Sequence, residues 1–361
     1  MGGAIQVAHS FISELNTLEL DNTYLVCCTS ISIGALKPEC FSHKFEFVFV
    51  EKSPASPINR KKITAELYKI EYVFNPDIVF TLFGPSYWIP KSKHICGFAD
   101  GWVYNPNSIV YSRLNFLSRI KRKLLNKYKI YRIKKESNHY IIETEDAKQK
   151  FSKNLNINLS KISVVSNTYN AVFDKKVLIK KIPDIFNNNS FKLITVSSYY
   201  PNKNLEVINK VIKYIPDKYN VKFYLTLPDK IFKQKFNKSN RILNLGTQHI
   251  SNCPKLYYLC DAMFLPTLLE TFTASYLEAM IMNKPILTSN YSFAKNICGS
   301  AAEYFDPLKP KDIAKKIINL LNDKNRYKEL ISLGSKRVLA FPNYRERAKQ
   351  YLNTCHNQII K

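Results

Sequence analysis

The feature that most limits how this chain can fold is an alternation running through its whole length. Short runs rich in β-branched and aromatic residues are separated by stretches whose apolar residues recur at helical spacing. Twelve runs read as strands: Tyr24–Cys28, Phe45–Val50, Asp77–Leu82, His94–Gly97, Tyr140–Glu143, Ile162–Val165, Lys192–Ser197, Val221–Leu225, Ile242–Leu245, Ala262–Pro266, Pro285–Thr288 and Glu303–Phe305. Between them, sets such as Ile5, Ala8, Phe11, Ile12 and Leu15, or Ile313, Ile317, Ile318 and Leu321, mark one face of a helix. Strands that alternate with helices form parallel sheets covered by those helices. The polar stretch 174–190, with Pro183 and Asn187-Asn188-Asn189, interrupts the pattern and leaves halves of similar size. A chain of 361 residues exceeds what one core usually serves. The expected fold is therefore α/β, with two Rossmann-like, doubly wound domains facing a cleft, over 1–178 and 179–340. A terminal helix in 341–361 is expected to pack back on the first domain. A doubly wound domain normally opens with a strand, whereas this sequence opens on Gly2-Gly3 and a helical pattern, so the first N-terminal strand is expected to be missing.

Composition narrows the functional classes. With 45% hydrophobic residues and nine glycines, the chain is globular, neither disordered nor fibrous. Its formal charge of +26 suits an anionic partner, but Lys is spread along the whole sequence, so local clustering is more informative than the sum. One cluster stands out: between Arg113 and Lys135, ten Lys and Arg residues interleave with Leu114, Leu117, Leu124, Leu125, Tyr128 and Tyr131. Three readings fit it: a helix lying on an anionic membrane surface, a solvated charged face, or a nucleic-acid tracking helix. The eight cysteines form no C-x-x-C pair and no zinc-type spacing with histidine, which fits reduced thiols in a cytoplasmic protein. No basic-then-apolar leader and no apolar run long enough to span a bilayer occurs, so the expected location is cytoplasmic, with peripheral contact on the inner face of the cell membrane.

The window that carries chemistry is 265–280, Leu-Pro-Thr-Leu-Leu-Glu-Thr-Phe-Thr-Ala-Ser-Tyr-Leu-Glu-Ala-Met. A strand ends near Pro266, a polar turn follows, and a helix starts around Thr273. Free amides and a positive dipole end then lie at the carboxyl edge of a strand, where anions bind. Helical side chains lean toward the N-terminus, so Glu278 points back at that site, beside Ala274 and Ser275.

Glu270 and Glu278 form the E-x7-E pattern, and the window resembles the family-4 glycosyltransferases, retaining enzymes of the GT-B fold. Other segments extend the likeness: Leu193–Ser197 followed by Tyr200-Pro201-Asn202-Lys203-Asn204-Leu205, Val164–Asn167, Leu243–Gly246, Lys284–Ser289 and Ala301–Pro307. The resemblance implies that Glu278 holds the donor ribose, Glu270 contacts the donor sugar, and Lys203 neutralises the diphosphate, with Glu270 and Lys203 as the catalytic pair. It further implies donor contacts from Thr271, Phe272, Thr273, Ala274, Ser275, Gly246, Ser198 and Gly3. The donor would be a UDP or GDP sugar, and the acceptor a glycan or lipid-linked glycan, as in bacterial cell-surface polysaccharide synthesis. No D-x-D sequence occurs, so no metal site and no essential metal cofactor are expected.

The sequence also departs from the family pattern. Ser198 stands where the family often has an Arg, Thr271 and Thr273 where glycines are common, and Asn296 where a Glu is frequent. In the N-terminal half, Tyr87, Trp88 and Asp100 fall in aromatic, Gly-containing loops after strands, where an acceptor would bind. Two rivals follow from the same residues: a nucleotide-sugar epimerase or hydrolase on the same scaffold, and a non-catalytic basic nucleic-acid-binding protein.

Overall fold

A computed structural model describes residues 3–29, 36–179, 181–236 and 239–360. The fold is α/β, and each of the twelve expected strands forms, with ends displaced by two residues at most. Contacts divide the chain into two compact units, one of residues 1–106, 116–167 and 342–361, the other of 107–115 and 168–341.

The division falls at Asn167–Thr168, ahead of the polar stretch where the sequence places it. Two aromatic anchors explain the difference. Phe173 and Phe186 are buried in the core of the second unit, Phe173 edge-on to Tyr257 at 5.9 Å and Phe186 stacked on Tyr224 at 4.8 Å. A stretch that reads as a linker is thus partly bound down by its few apolar residues.

In the first unit the described chain opens with the helix Gly3–Leu15, followed by β1 (Tyr24–Cys28). β1 pairs in parallel with β2 (Phe45–Phe49). The strands β3 (Ile78–Thr81), β4 (Lys93–Gly97), β5 (His139–Ile142) and β6 (Ile162–Val164) form a four-stranded parallel sheet in that order. β5 is buried along its whole length, as expected for a parallel sheet covered on both faces. The helix Tyr344–Ile360 belongs to this unit, and its Ala348, Tyr351, Leu352 and Cys355 share a core with Phe11, Leu15, Ile95 and Ile141.

In the second unit six parallel strands lie in the order β12-β11-β10-β7-β8-β9, where β7 is Phe191–Thr195, β8 Val221–Leu225, β9 Ile242–Asn244, β10 Ala262–Leu265, β11 Ile286–Ser289 and β12 Ala302–Phe305. Successive side chains of one strand point to opposite faces. Ile194 and Met263 accordingly enter one core, with Tyr276 and Ile286, while Leu193 and Phe264 enter the other, with Val211 and Ile317. Two buried hydroxyls add bonds across the sheet: Thr195 Oγ1 donates to the Phe264 carbonyl at 2.6 Å, and Thr288 Oγ1 to that of Leu265 at 3.0 Å.

The eight cysteines are all free thiols, five buried, Cys28 half-buried, and Cys27 and Cys40 exposed. No described helix is long and apolar enough to cross a membrane.

One buried cation holds the C-terminal helix in place. Arg347 is 2% exposed, and its guanidinium donates to Asn167 Oδ1 at 2.6 Å and to Ser10 Oγ at 2.8 Å, joining three segments of the first unit. Burial lowers its pKa, opposed by Tyr351, Glu143 and Glu14. Replacing Arg347 by Ala removes both bonds and most of a packed side chain, and should cost about 2–3 kcal/mol in denaturant unfolding. An unchanged unfolding midpoint would show that the helix is held by its apolar face alone.

Candidate active site

The strand order of the second unit decides where a ligand can sit. From β7 the chain builds outward through β8 and β9, then returns to lay β10, β11 and β12 on the opposite side. β7 and β10 are direct neighbours, with Leu193 opposite Ala262 and Ile194 opposite Met263. The loops leaving their carboxyl ends, 196–204 and 266–273, diverge from the point where the strand order reverses, which opens a crevice used for binding in sheets of this kind.

Hydrogen bonds staple the two loops to one another. The Leu268 amide donates to the Asn202 carbonyl at 2.7 Å, and Asn202 Nδ2 to the Leu269 carbonyl at 2.8 Å. Buried Asn204 takes a left-handed conformation, φ 53°, which Asn tolerates better than most residues. Its amide donates to the Pro266 and Pro307 carbonyls at 3.2 and 3.0 Å. These contacts fix the backbone on both sides of Lys203.

Lys203 consequently meets Glu270, Nζ to Oε1 at 2.7 Å, with the two side chains 16% and 10% exposed. The Thr267 hydroxyl also reaches Glu270 Oε1, at 2.6 Å. A pair this shielded from water loses hydration on both sides, so a charged ligand able to replace one partner competes on better terms than it would against a surface pair. The sequence marks both residues but carries no sign that they bond directly.

The helix Ala274–Ile281 starts next to this pair. Ser275 Oγ donates to the Val196 carbonyl at 3.3 Å, tying the first helical turn to the loop after β7. Glu278, one turn deeper, is 6% exposed and accepts from the Tyr257 hydroxyl at 3.1 Å. Burial raises its carboxyl pKa to about 7, which the Tyr257 bond only partly offsets. The Tyr257 hydroxyl also lies 3.4 Å from the Ser275 carbonyl. Sequence reading missed Thr267, Asn202, Asn204 and Tyr257 as parts of the site, although the first three flank marked residues.

The remaining expected residues divide. Thr273 precedes the helix, but its side chain makes no cap bond, and its buried hydroxyl has no partner within the protein. Phe272 is 8% exposed with its ring edge-on to Phe341, so it can offer a ligand only its backbone. Thr271, Ala274 and Ser275 are half-buried, and Ser198 is exposed. Gly246, just past β9, has φ 68° and open space where a side chain would project. Gly3 is the first residue of a helix in the first unit; Gly2 lies outside the described residues.

The acceptor candidates lie in the first unit, and most of their polar groups are engaged. Asp100 caps a short helix by accepting from the Trp102 amide at 3.1 Å and pairs with Lys129 Nζ at 2.6 Å. The Tyr87 amide and Ser86 hydroxyl donate to buried Glu136 Oε2 at 3.1 and 3.0 Å, and the Tyr87 ring stacks with Tyr128. Trp88 is half-buried, edge-on to Tyr68, and its Nε1 has no partner. Tyr87 and Tyr128 also flank the Arg60 guanidinium, at 5.1 and 5.7 Å. Among the described residues no three His, Cys, Asp or Glu side chains gather as a metal site would require.

Residues 179–337 match the family model for glycosyl transferases group 1. That match lies within the second unit. Solved structures share the fold over nearly the whole chain at low sequence identity. Anabaena Alr3699/HepE in complex with UDP and glucose is 13% identical, with a TM-score of 0.74 over 98% of this chain and 96% of that one. Sucrose-phosphate synthase from Thermosynechococcus elongatus is 13% identical, with a TM-score of 0.73 over 99% and 94%. WaaG, a glycosyltransferase involved in lipopolysaccharide biosynthesis, is 13% identical, with a TM-score of 0.68 over 97% and 95%. The fold is that of GT-B glycosyltransferases, with two Rossmann-like units. Comparison with curated proteins gives no match.

The second unit holds a buried acid, Glu278, whose ionisation should affect its stability. Between the ordinary carboxyl pKa of 4.5 and the raised value of about 7, the folded state keeps a proton that the unfolded state releases, so stability falls as pH rises through this window. Glu278→Gln removes the titration. Relative to wild type it should gain about 3 kcal/mol between pH ~5 and pH ~8 in denaturant unfolding. A stability difference that stays flat with pH would mean that Glu278 ionises normally in the folded chain.

Proposed function

We propose that this chain transfers a hexose from a nucleoside diphosphate sugar to a glycan or lipid-linked glycan, with retention at the anomeric carbon. The observation that carries the reading is the shielded Lys203–Glu270 pair at the switch crevice of a group 1 glycosyltransferase domain. The Lys203 ammonium and the first amides of the helix Ala274–Ile281 would meet the diphosphate, neutralising the charge that grows as it leaves. Glu270, once Lys203 turns to phosphate, would be free to accept hydroxyls of the donor sugar. Glu278 would accept from the ribose, and the partnerless Thr273 hydroxyl is a further donor for phosphate oxygen.

Fixed cations and amides make a metal clamp unnecessary, so turnover should survive a chelator. UDP is the favoured nucleotide, because structural neighbours have been solved with UDP and with UDP-glucose. The free thiols suit a reducing, cytoplasmic setting.

Thermal shift with UDP, GDP and ADP and their sugars identifies the donor, and UDP compounds should stabilise the chain most. With that donor, Lys203→Ala should lower kcat by about two to three decades while the fold is retained. Unchanged kcat would remove Lys203 from the reaction, and turnover of donor to an epimer without acceptor would replace transfer by epimerisation.

Ionisation of Glu278 also links binding to pH. Ribose hydroxyls favour the carboxylate over the acid, so donor binding should expel the proton. Donor affinity should then rise with pH through about 7 in wild type and lose that dependence in Glu278→Gln. The same pH dependence in both proteins would exclude the ribose contact.

A further inference from the structure

The helix Phe116–Glu136 in the first unit is built the opposite way from an ordinary surface helix. It carries nine Lys and Arg residues and a single acid, Glu136. A usual amphipathic helix buries its apolar stripe and shows its charges to water. Here the side packed on the unit is mainly polar. Asn126 Nδ2 donates to the Trp102 carbonyl at 2.7 Å, Lys129 pairs with Asp100, Glu136 accepts from the Ser86 hydroxyl and the Tyr87 amide, and the Arg122 guanidinium lies 4.8 Å above the Trp102 ring. Among the apolar residues of the helix, only Ile133 is fully buried.

The outward side is apolar. Phe116, Leu117, Ile120, Leu124, Tyr128 and Tyr131 are 73, 77, 42, 62, 37 and 54% exposed. Their spacings of four and seven place them within a sector of roughly a third of the helix circumference, at about 100° per residue. At the same rotation Lys127, Lys134 and Lys135 fall inside or on the edge of that sector toward its C-terminal end, and Lys123 and Lys121 lie just beyond its two edges, all exposed. A second segment adjoins it: Arg60 donates to the Tyr128 hydroxyl, and Ile58, two residues earlier, is 93% exposed.

We propose that this face is a docking surface for an anionic lipid bilayer, with the helix lying in the plane of the interface. The charges and the stripe must be explained together. Nucleic acid would engage the lysines and leave the Phe116, Leu117, Ile120 and Leu124 side chains in water. A bilayer takes the aliphatic side chains into the acyl boundary, keeps the tyrosines at headgroup depth, and neutralises the bordering lysines with anionic headgroups. The surface shares no residue with the donor crevice, so the proposal holds whether or not the transfer reaction is as described above. If both hold, the surface brings the enzyme to acceptors carried on lipid.

The test is flotation of the full chain with vesicles of phosphatidylcholine alone or with about a third phosphatidylglycerol. Wild type should float with the anionic vesicles and only weakly with the neutral ones, and added salt should release it. Two variants separate the contributions: Leu117→Asp/Leu124→Asp, which spoils the stripe, and Lys121→Gln/Lys123→Gln/Lys127→Gln, which removes bordering charge. Each should bind anionic vesicles at least about tenfold more weakly. Thermal midpoints and nucleotide-induced shifts should stay those of wild type, since these side chains are exposed. Wild type that fails to float, or a Leu117→Asp/Leu124→Asp variant that floats as well as wild type, overturns the proposal. Tight binding of a single-stranded oligonucleotide that the Leu117→Asp/Leu124→Asp change leaves intact, with no vesicle binding, assigns the face to nucleic acid instead.

Discussion

The site depends on one constraint, the adjacency of β7 and β10 in a sheet whose chain runs away from that junction in both directions. Neighbouring strands whose connections diverge leave their carboxyl ends uncovered, and only loops can line the gap. Loops are free to wander unless their backbone polar groups are satisfied locally. Asn202 and Asn204 provide that satisfaction, bonding the carbonyls of Pro266 and Leu269 across the gap. Lys203, held between them, has little choice of direction. Its contact with Glu270 is the outcome of sheet order plus two asparagines.

Two glutamates eight residues apart end in contrasting states because their surroundings differ. Glu270 stands at the loop edge, matched by an ammonium group and a threonine hydroxyl. Glu278 lies under the helix, where a phenol is its partner and burial favours the neutral acid. Position relative to the sheet edge, not residue type, sets these states. A site that holds one carboxyl in an ion pair and a second near its titration point can respond to a ligand with a change in charge as well as in shape.

The strands were legible in the sequence because a parallel strand is a short, nearly continuous apolar run, and twelve such runs form twelve strands. Lys203, Glu270 and Glu278 were marked by their resemblance to a family pattern; Lys203 and Glu270 lie in the loops after β7 and β10, and Glu278 in the helix that follows. What bonds to them was not. Tyr257 is 21 residues from Glu278, Ser86 is 50 from Glu136, and Asn167 is 180 from Arg347. Pairings of this kind depend on how helices settle on a sheet, and no local periodicity encodes them. The same gap explains Asp100 and Phe272, whose side chains are taken up by Lys129 and Phe341. The contact division at 167–168 comes ahead of the polar stretch 174–190, with Phe173 before that stretch and Phe186 within it both buried in the second unit.

The large positive charge is a further case where the average conceals the arrangement. Spread evenly, such charge mainly keeps a chain soluble. On the helix Phe116–Glu136 it borders an apolar stripe that the fold leaves outside, although the same helix could have buried that stripe by turning on its axis. Exposed apolar surface forgoes about 25 cal/mol for each Å² left in water. What holds the helix in the costlier orientation is a set of polar contacts: Asn126 with Trp102, Lys129 with Asp100, and Glu136 with Ser86 and the Tyr87 amide. Pairs that orient a helix while adding little to stability are a form of specificity. Here the orientation they select is one that makes energetic sense only when something apolar and negatively charged lies against it.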